Sequence, residues 1–143
     1  MIREFSAGGV VIRRFRGRPF VAVVRVREGV LALPKGHPEP GESSAEAARR
    51  EVREEAGVEA EVVGSLGEVK YWYQRGGRRI AKVVEFFLLR YVSGDVGDHD
   101  HEVEQARWIP ATQAARTLTY DGERKMVRKA LARLEQDRPA DGL

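Results

Sequence analysis

Cysteine is absent from this chain of 143 residues, and histidine is scarce, with three copies. Without cysteine, neither a disulfide framework nor a thiolate metal site can form. The composition therefore suits a reducing compartment, and we expect a cytoplasmic protein. No two histidines stand at ligand spacing, which argues against a zinc site. No apolar run approaches the roughly 20 residues that cross a bilayer, and the N-terminus lacks a secretory signal. We therefore expect no membrane partner.

The residues that are present indicate one globular domain. Hydrophobic residues make up 42% of the chain and charged residues 33%, which is typical of a folded protein with a core. A chain of this length holds one ordinary domain, for which we predict residues 1–136, with residues 137–143 as a loose tail. The net charge is only +3. A weakly basic surface attracts polyanions in general and does not separate nucleotides from nucleic acids.

Strands and helices are predicted to alternate along the chain. Two β-branched runs flank a turn at Gly17 and predict a hairpin, while the segment 34–42 contains three prolines and two glycines and predicts an ordered loop. An amphipathic helix is expected to begin with Asp121 as its cap. Further strands are predicted at 30–33, 59–73, 80–91 and 106–109, beside the hairpin strands 7–14 and 20–27 and a short helix within 110–118. This alternation predicts a mixed α/β layer architecture.

One helix is strongly marked between residues 43 and 57. Ser43 and Glu46 form the pattern of a capping box, in which two backbone N–H groups are satisfied reciprocally. Gly57 is suited to the left-handed position that ends a helix. The apolar stripe between them consists mostly of alanine, so we expect the helix to lie close against a sheet: Ala45, Ala48, Val52 and Ala56.

Three glutamates of this helix share one face. Glu51, Glu54 and Glu55 stand at i, i+3 and i+4, where like charges repel. They also lie in the last turn, where the helix dipole disfavours anions. A divalent cation such as Mg²⁺ or Mn²⁺ would remove this conflict, because it takes carboxylate oxygens as ligands. On spacing alone, the commoner explanation is a solvated acidic face whose charge is balanced by its neighbours Arg49, Arg50 and Arg53.

The wider pattern from Gly36 to Val58 resembles the signature of the Nudix hydrolase family. Gly36 is followed after five residues by Glu42, and after seven more by the run from Arg50 to Val58, so that all nine specified positions match over 23 residues. The resemblance implies an α/β/α sandwich with a mixed β-sheet. It also implies metal-dependent hydrolysis of a phosphoanhydride bond in a small nucleotide, with Mg²⁺ or Mn²⁺ as cofactor.

The resemblance assigns roles to the matching residues. Glu51, Glu54 and Glu55 look like the metal ligands, and Gly36 looks like a glycine whose backbone carbonyl also reaches a metal. Arg50 and Glu42 resemble an ion pair that supports catalysis by holding the loop against the helix. The same ion pair could serve stability alone.

The general base is harder to assign. Glu54 is a candidate on the helix, and Glu102 resembles a glutamate that several relatives supply from outside the helix, as a further metal ligand or as the base. Asp100 and Glu104 are close neighbours that could be mistaken for Glu102, and all three could simply belong to an exposed acidic loop.

Three segments point to a substrate. The stretches 4–10, 33–42 and 67–73 look like those of diadenosine polyphosphate hydrolases. This resemblance implies that Lys35 and His37 face the phosphates, that Lys82 contacts the phosphate chain, and that Tyr73 stacks on adenine. Tyr120 is a candidate for a second stacking position. Each of these residues could instead be surface charge or packing.

Other functions remain open beside hydrolysis of a dinucleoside polyphosphate. A house-cleaning nucleoside triphosphatase of the MutT type, acting on oxidised nucleotides, is the main alternative. ADP-ribose hydrolysis is disfavoured because the sequence after the motif shows no recognisable form of that sub-family's accessory pattern. An RNA-end pyrophosphohydrolase is disfavoured because the basic residues of the chain are interspersed with acidic ones. A catalytically dead nucleotide sensor would be expected to lack one of the glutamates. The sequence does not separate a monomer from a homodimer.

Overall fold

A computed structural model describes residues 2–26 and 29–137, and within them the chain forms strands and helices in alternation. The predicted tail, apart from Asp137, and the end of the second predicted strand at Arg27 lie outside the described residues. A short 3₁₀ helix spans Val96–Asp98. The strands are β1 (Ile2–Phe15), β2 (Arg18–Arg25), β3 (Leu31–Ala32), β4 (Lys35–Gly36), β5 (Val58–Arg75), β6 (Arg78–Gly94) and β7 (Gln105–Pro110), and the helices are α1 (Ser44–Ala56), α2 (Ala111–Thr117) and α3 (Asp121–Gln136).

The described strands form one mixed sheet. Its main order is β3–β2–β1–β6–β5, with β4 paired to β1 and β7 paired to β2. The long central pair β1 and β6 is parallel, whereas every other pair is antiparallel. The parallel pair requires a long crossover connection, and this connection carries the loop 34–42 and helix α1.

Helices cover both faces of the sheet. Successive side chains of a strand point to opposite faces, so one strand can pack against helices on both sides. In β1, Val10 and Ile12 pack with α2 and α3, while Ala7 and Val11 pack with α1. The predicted α/β/α sandwich is therefore confirmed. No helix of the described chain is both long and apolar enough to cross a membrane.

Helix α1 has the ends that the sequence predicts. The side chain of Ser43 accepts a hydrogen bond from the Glu46 N–H, the Glu46 side chain bonds back to the Ser43 N–H, and Gly57 adopts the left-handed conformation with φ of 78°. Ala48, Val52 and Ala56 of the predicted stripe are fully buried against the sheet. The small side chains thus hold α1, and the glutamates on its other face, close to β1.

Three local features differ from the sequence predictions. Within the predicted loop, Lys35 and Gly36 pair with Gly8 and Ala7 as the short strand β4. Strands β1, β5 and β6 are longer than predicted, with 14, 18 and 17 residues. The assignment of Asp121 as a helix cap is wrong, since Tyr120 is the cap residue and no side chain caps the helix.

Candidate active site

The three glutamates of α1 lie where the helix meets strand β4. The Glu55 carboxylate accepts a hydrogen bond of 2.9 Å from the backbone N–H of Lys35. The Glu51 carboxylate lies directly against Gly36, where an added Cβ would stand only 1.6 Å from Oε2. The absence of a side chain at Gly36 therefore makes room for Glu51. Arg50 contacts both Glu51 and Glu54, and Glu54 is the more exposed of the two, with 41% of its side chain exposed against 13% for Glu51.

Negative charge is poorly compensated at this corner. Burial, with repulsion from Glu54 and Glu102, raises the pKa of Glu51 to about 7. Burial also raises the pKa of Glu55 to about 7, and repulsion from Glu51 and Asp100 adds to it. Partly buried carboxylates with raised pKa values are typical of functional sites, and a bound cation would favour their charged form.

Arg50 connects the helix to the loop 37–42. Its guanidinium forms paired hydrogen bonds of 2.8 and 2.9 Å with Glu42, so the predicted ion pair is present. It also bonds to Glu54 at 3.1 Å and to the carbonyl of His37 at 2.9 Å. The guanidinium holds the pKa of Glu42 at about 2. One planar side chain thus fixes the loop and one of the three glutamates together.

The segment 95–104 closes over the C-terminal end of α1. The Asp100 N–H donates a hydrogen bond of 2.8 Å to the carbonyl of Glu54, and the Glu102 N–H bonds to the Asp100 side chain at 3.0 Å. Glu102 is exposed, yet it lies near enough to Glu51 to raise the pKa of that carboxyl. The structure therefore joins Asp100 to the end of α1, with Glu102 bonded to Asp100 and within electrostatic range of Glu51.

These acids are not arranged as a ready-made ligand set. Within residues 2–26 and 29–137, no three histidine or carboxylate side chains form a group that could hold a metal ion as they stand. Glu55 is turned to the Lys35 N–H, and Glu54 is turned to Arg50. The donor set nevertheless fits a hard cation, because it consists of carboxylate oxygens beside the side-chain-free backbone of Gly36.

A cavity of about 320 Å³ opens on the α3 side of the sheet. Lys35 belongs to it and connects it to the acids, since the Lys35 N–H is the donor to Glu55. Four of the five predicted substrate-binding residues line this cavity: Lys35, Tyr73, Lys82 and Tyr120. Tyr71 and Trp72 complete the lining. A neighbouring cavity of about 520 Å³ shares Tyr71 and Tyr120 with it, whereas a separate cavity of about 420 Å³ contains none of the predicted site residues.

Strand pairing and helix packing bring these side chains together. Lys82 lies opposite Tyr71 in the β5–β6 register, and burial together with the charge of Lys35 lowers its pKa. Tyr73 donates a hydrogen bond of 2.8 Å to Glu4. Tyr120, at the start of α3, has its ring centroid 5.3 Å from that of Tyr71. The cavity thus combines two cations with an aromatic wall.

His37 is the predicted binding residue that lies elsewhere. Its side chain is exposed, and its Nδ1 lies 3.0 Å from the carbonyl of Phe5. His37 does not line the cavity. Its contacts are those of a residue that shapes the loop beside β1.

Sequence analysis did not identify Glu123 as a site residue. The side chain is completely buried and bonds to Lys35 and Tyr71, two residues of the cavity lining. A signal was available, because position 123 stands three, four and seven residues before the apolar positions 126, 127 and 130 of α3. A charged residue on such a buried stripe calls for a partner inside the protein.

The geometry can be compared with that of known proteins. The family model for the NUDIX domain matches residues 3–130, which include the acids and the cavity. This chain belongs to the NUDIX domain family. The match covers strands β1 to β7 and most of α3, and so assigns one family to nearly all of the chain.

Curated relatives of this NUDIX protein include longer chains. A Mycobacterium tuberculosis protein named mutator protein MutT4 is 37% identical over 149 aligned positions, which cover 97% of this chain and 60% of that protein. An 8-oxo-(d)GTP phosphatase of Mycolicibacterium smegmatis is 35% identical over 79% of this chain and 34% of its own length. The chain therefore spans about 60% and about a third of these two relatives.

A solved structure resembles the NUDIX protein over almost its full length. The binary complex of a C. elegans Ap4A hydrolase superposes with a TM-score of 0.74 and 26% sequence identity, covering 93% of this chain and 98% of that one. The fold predicted from the sequence is thus found in solved members of the family.

Proposed function

We propose that this protein, as a single domain over residues 1–136, is a metal-dependent pyrophosphohydrolase that cuts a phosphoanhydride bond in a dinucleoside polyphosphate such as diadenosine tetraphosphate. One observation carries the proposal. Lys35 joins a cavity of two lysines and several aromatic rings to a cluster of poorly compensated glutamates. The lysines and aromatic rings suit the phosphates and base of a nucleotide, and the glutamates suit the metal ion that its hydrolysis needs.

The metal would be Mg²⁺ or Mn²⁺, held by Glu51, Glu54 and Glu55 with the carbonyl of Gly36 and with Glu102. When bound, such an ion neutralises phosphate charge and lowers the pKa of a bound water. The protein's own contribution is to orient the carboxylates and to accept a proton. Arg50 and Glu42 orient Glu54, and Glu54 or Glu102 is the base that takes the proton from the attacking water.

The cavity size bears on the substrate. Ligand pockets commonly enclose about 300–1,000 Å³, so a cavity of about 320 Å³ suits one nucleoside, and a neighbouring cavity of about 520 Å³ shares Tyr71 and Tyr120 with it. Tyr73 and Tyr120 would face its base, and Lys35 and Lys82 would contact the first phosphates. The likeness to the C. elegans Ap4A hydrolase supports a dinucleoside polyphosphate as the substrate.

A second candidate is a nucleoside triphosphatase that removes oxidised nucleotides. It is favoured by the names of the two relatives of 37% and 35% identity, a mutator protein and an 8-oxo-(d)GTP phosphatase. The same cavity could hold a single purine nucleotide with its triphosphate directed to the glutamates. The two candidates share the metal site and differ in what lies on the far side of the cut bond.

A substrate panel with product analysis separates the candidates. The purified protein with Mg²⁺ would be given diadenosine tetraphosphate, 8-oxo-dGTP, dGTP and ADP-ribose, and products would be resolved by ion-exchange chromatography. We expect ATP and AMP from the tetraphosphate, with a kcat/KM at least about tenfold above the others. A preference for 8-oxo-dGTP, with pyrophosphate released, would establish the second candidate instead. Intact substrates throughout would refute both.

A further inference from the structure

A buried carboxylate stands behind the nucleotide cavity. Glu123 is 0% exposed and belongs to the first turn of α3. Its Oε1 accepts a hydrogen bond of 2.8 Å from the Leu33 N–H. Its Oε2 accepts bonds of 2.9 Å from the Lys35 ammonium and from the Tyr71 hydroxyl. A buried carboxylate with three donors in place is a connected polar network rather than a stray charge.

The network fixes where the ammonium of Lys35 lies. The Lys35 side chain is 17% exposed, and its Nζ stands 5.3 Å and 5.9 Å from the ring centroids of Tyr120 and Tyr71. An ammonium has three N–H donors, and the bond to Glu123 uses one of them. The other two N–H donors remain available to a ligand in the cavity, so Glu123 can fix the Lys35 ammonium without using all of its donors.

The same carboxylate also fixes the backbone that leads to the glutamates. Glu123 binds the N–H of Leu33, and two residues further on the Lys35 N–H donates to Glu55 at 2.9 Å. A single segment therefore connects the buried carboxylate of α3 to a glutamate of α1, across the edge of the sheet. A shift of Glu123 would move both the ammonium and this backbone donor.

We propose that Glu123 is a positioning residue, which holds the Lys35 ammonium in place for the phosphates of a bound nucleotide. The inference rests on the proposed function in one respect, namely that a nucleotide occupies the cavity. Burying a carboxylate and an ammonium costs free energy that their mutual attraction only roughly offsets. Stability alone could be provided by apolar residues at these positions, whereas a fixed ammonium beside the cavity serves an anionic ligand.

The test is a double-mutant cycle between Glu123 and Lys35. Glu123→Gln keeps an oxygen for the Leu33 N–H and removes the negative charge. We expect this variant to raise KM about tenfold with kcat within about threefold, because a displaced ammonium weakens phosphate binding in ground and transition states alike. In a Lys35→Met background the same substitution should change KM by no more than about twofold, since its target is gone.

Binding without turnover gives an independent readout. Titration calorimetry with β,γ-methylene-ATP in EDTA should show a roughly tenfold loss of affinity for Glu123→Gln. In the Lys35→Met background, the same substitution should change the affinity by no more than about twofold. Glu135→Gln, an exposed position on the same helix, is the matched control and should behave as the wild type.

Each outcome has one meaning. Wild-type KM and affinity in Glu123→Gln, or equal losses with and without Lys35, would overturn the positioning role. If Glu123→Gln does not fold, Glu123→Asp replaces it in the double-mutant cycle. Aspartate keeps the negative charge but holds it one methylene further from the Lys35 ammonium. A wild-type protein that splits no anhydride would instead refute the proposed function, whatever the binding cycle shows.

Discussion

Replacing Gly36 by alanine should disable the site while leaving the fold intact. An added Cβ would stand 1.6 Å from Oε2 of Glu51 and 2.2 Å from its carboxyl carbon. Ordinary contact between such atoms is about 3.5 Å, so the carboxylate or strand β4 must move by more than about 1 Å. The Glu51 carboxylate, at the end of a flexible side chain, would move more readily than the backbone of β4, and both belong to predicted metal ligands.

The expected loss is at least about 100-fold in kcat/KM, because a misplacement of about 1 Å in a catalytic group costs this much. The loss corresponds to about 2.7 kcal/mol of transition-state stabilisation. The assay measures initial rates of hydrolysis with Mg²⁺, with Mn²⁺ affinity by electron paramagnetic resonance as a readout that does not depend on turnover. Circular dichroism would verify that Gly36→Ala is folded.

Gly41→Ala is the matched control on the same loop. A Cβ at Gly41 meets nothing within 4 Å, although its φ of 79° is strained for alanine. The control should lose about 1–2 kcal/mol of stability from that strain and keep nearly full kcat/KM at low temperature. If Gly36→Ala retained activity within about threefold of the wild type, the contact with Glu51 would not matter and the argument would fail.

Three further predictions follow from the same geometry. The raised pKa values of Glu51 and Glu55, about 7 against an ordinary 4.5, mean that the folded protein retains protons which the unfolded chain has released. The unfolding free energy without metal should therefore fall as pH rises from about 4.5 to about 7, and Mg²⁺ should raise the melting temperature more at alkaline than at acidic pH; the opposite order would contradict the assignment. Arg50→Lys cannot form the paired bonds to Glu42, so kcat should drop more than about tenfold, whereas unchanged rates would mark that ion pair as dispensable. Gly122→Ala would place a Cβ 2.3 Å from a methyl group of strand β5, so chemical denaturation should show a loss of about 1–3 kcal/mol, and an unaffected midpoint would speak against close packing there.

Local chemistry made much of the architecture predictable. Helix α1 begins and ends where Ser43 and Gly57 indicate, because capping depends on residues within a few positions of each other. The alternation of strands and helices likewise follows from periodicity, which is a property of short segments. The spacing of the glutamates identified one face of one helix without any knowledge of the rest of the chain.

Contacts between distant segments could not be predicted in this way. Nothing near Lys35 in the sequence indicates that its ammonium binds Glu123, 88 residues away, or that β4 forms by pairing with β1. The cap predicted at Asp121 was wrong, because Asp121 is already the first residue of α3 and its carboxylate contacts Arg124 and Lys125. Likewise, Tyr73 and Tyr120 share a cavity, while His37 is turned to Phe5.

By itself, the sequence determined the helix, its ends, the face that carries the acids, and the family that this pattern indicates. Each of these depends on residues within one continuous stretch from Gly36 to Val58, and the helical period places the acids on one face. Only the tertiary structure decided which side chains share the cavity and which carboxylate is buried behind it. Those outcomes depend on how the helices pack across a sheet, where distances between remote residues are set by the whole core.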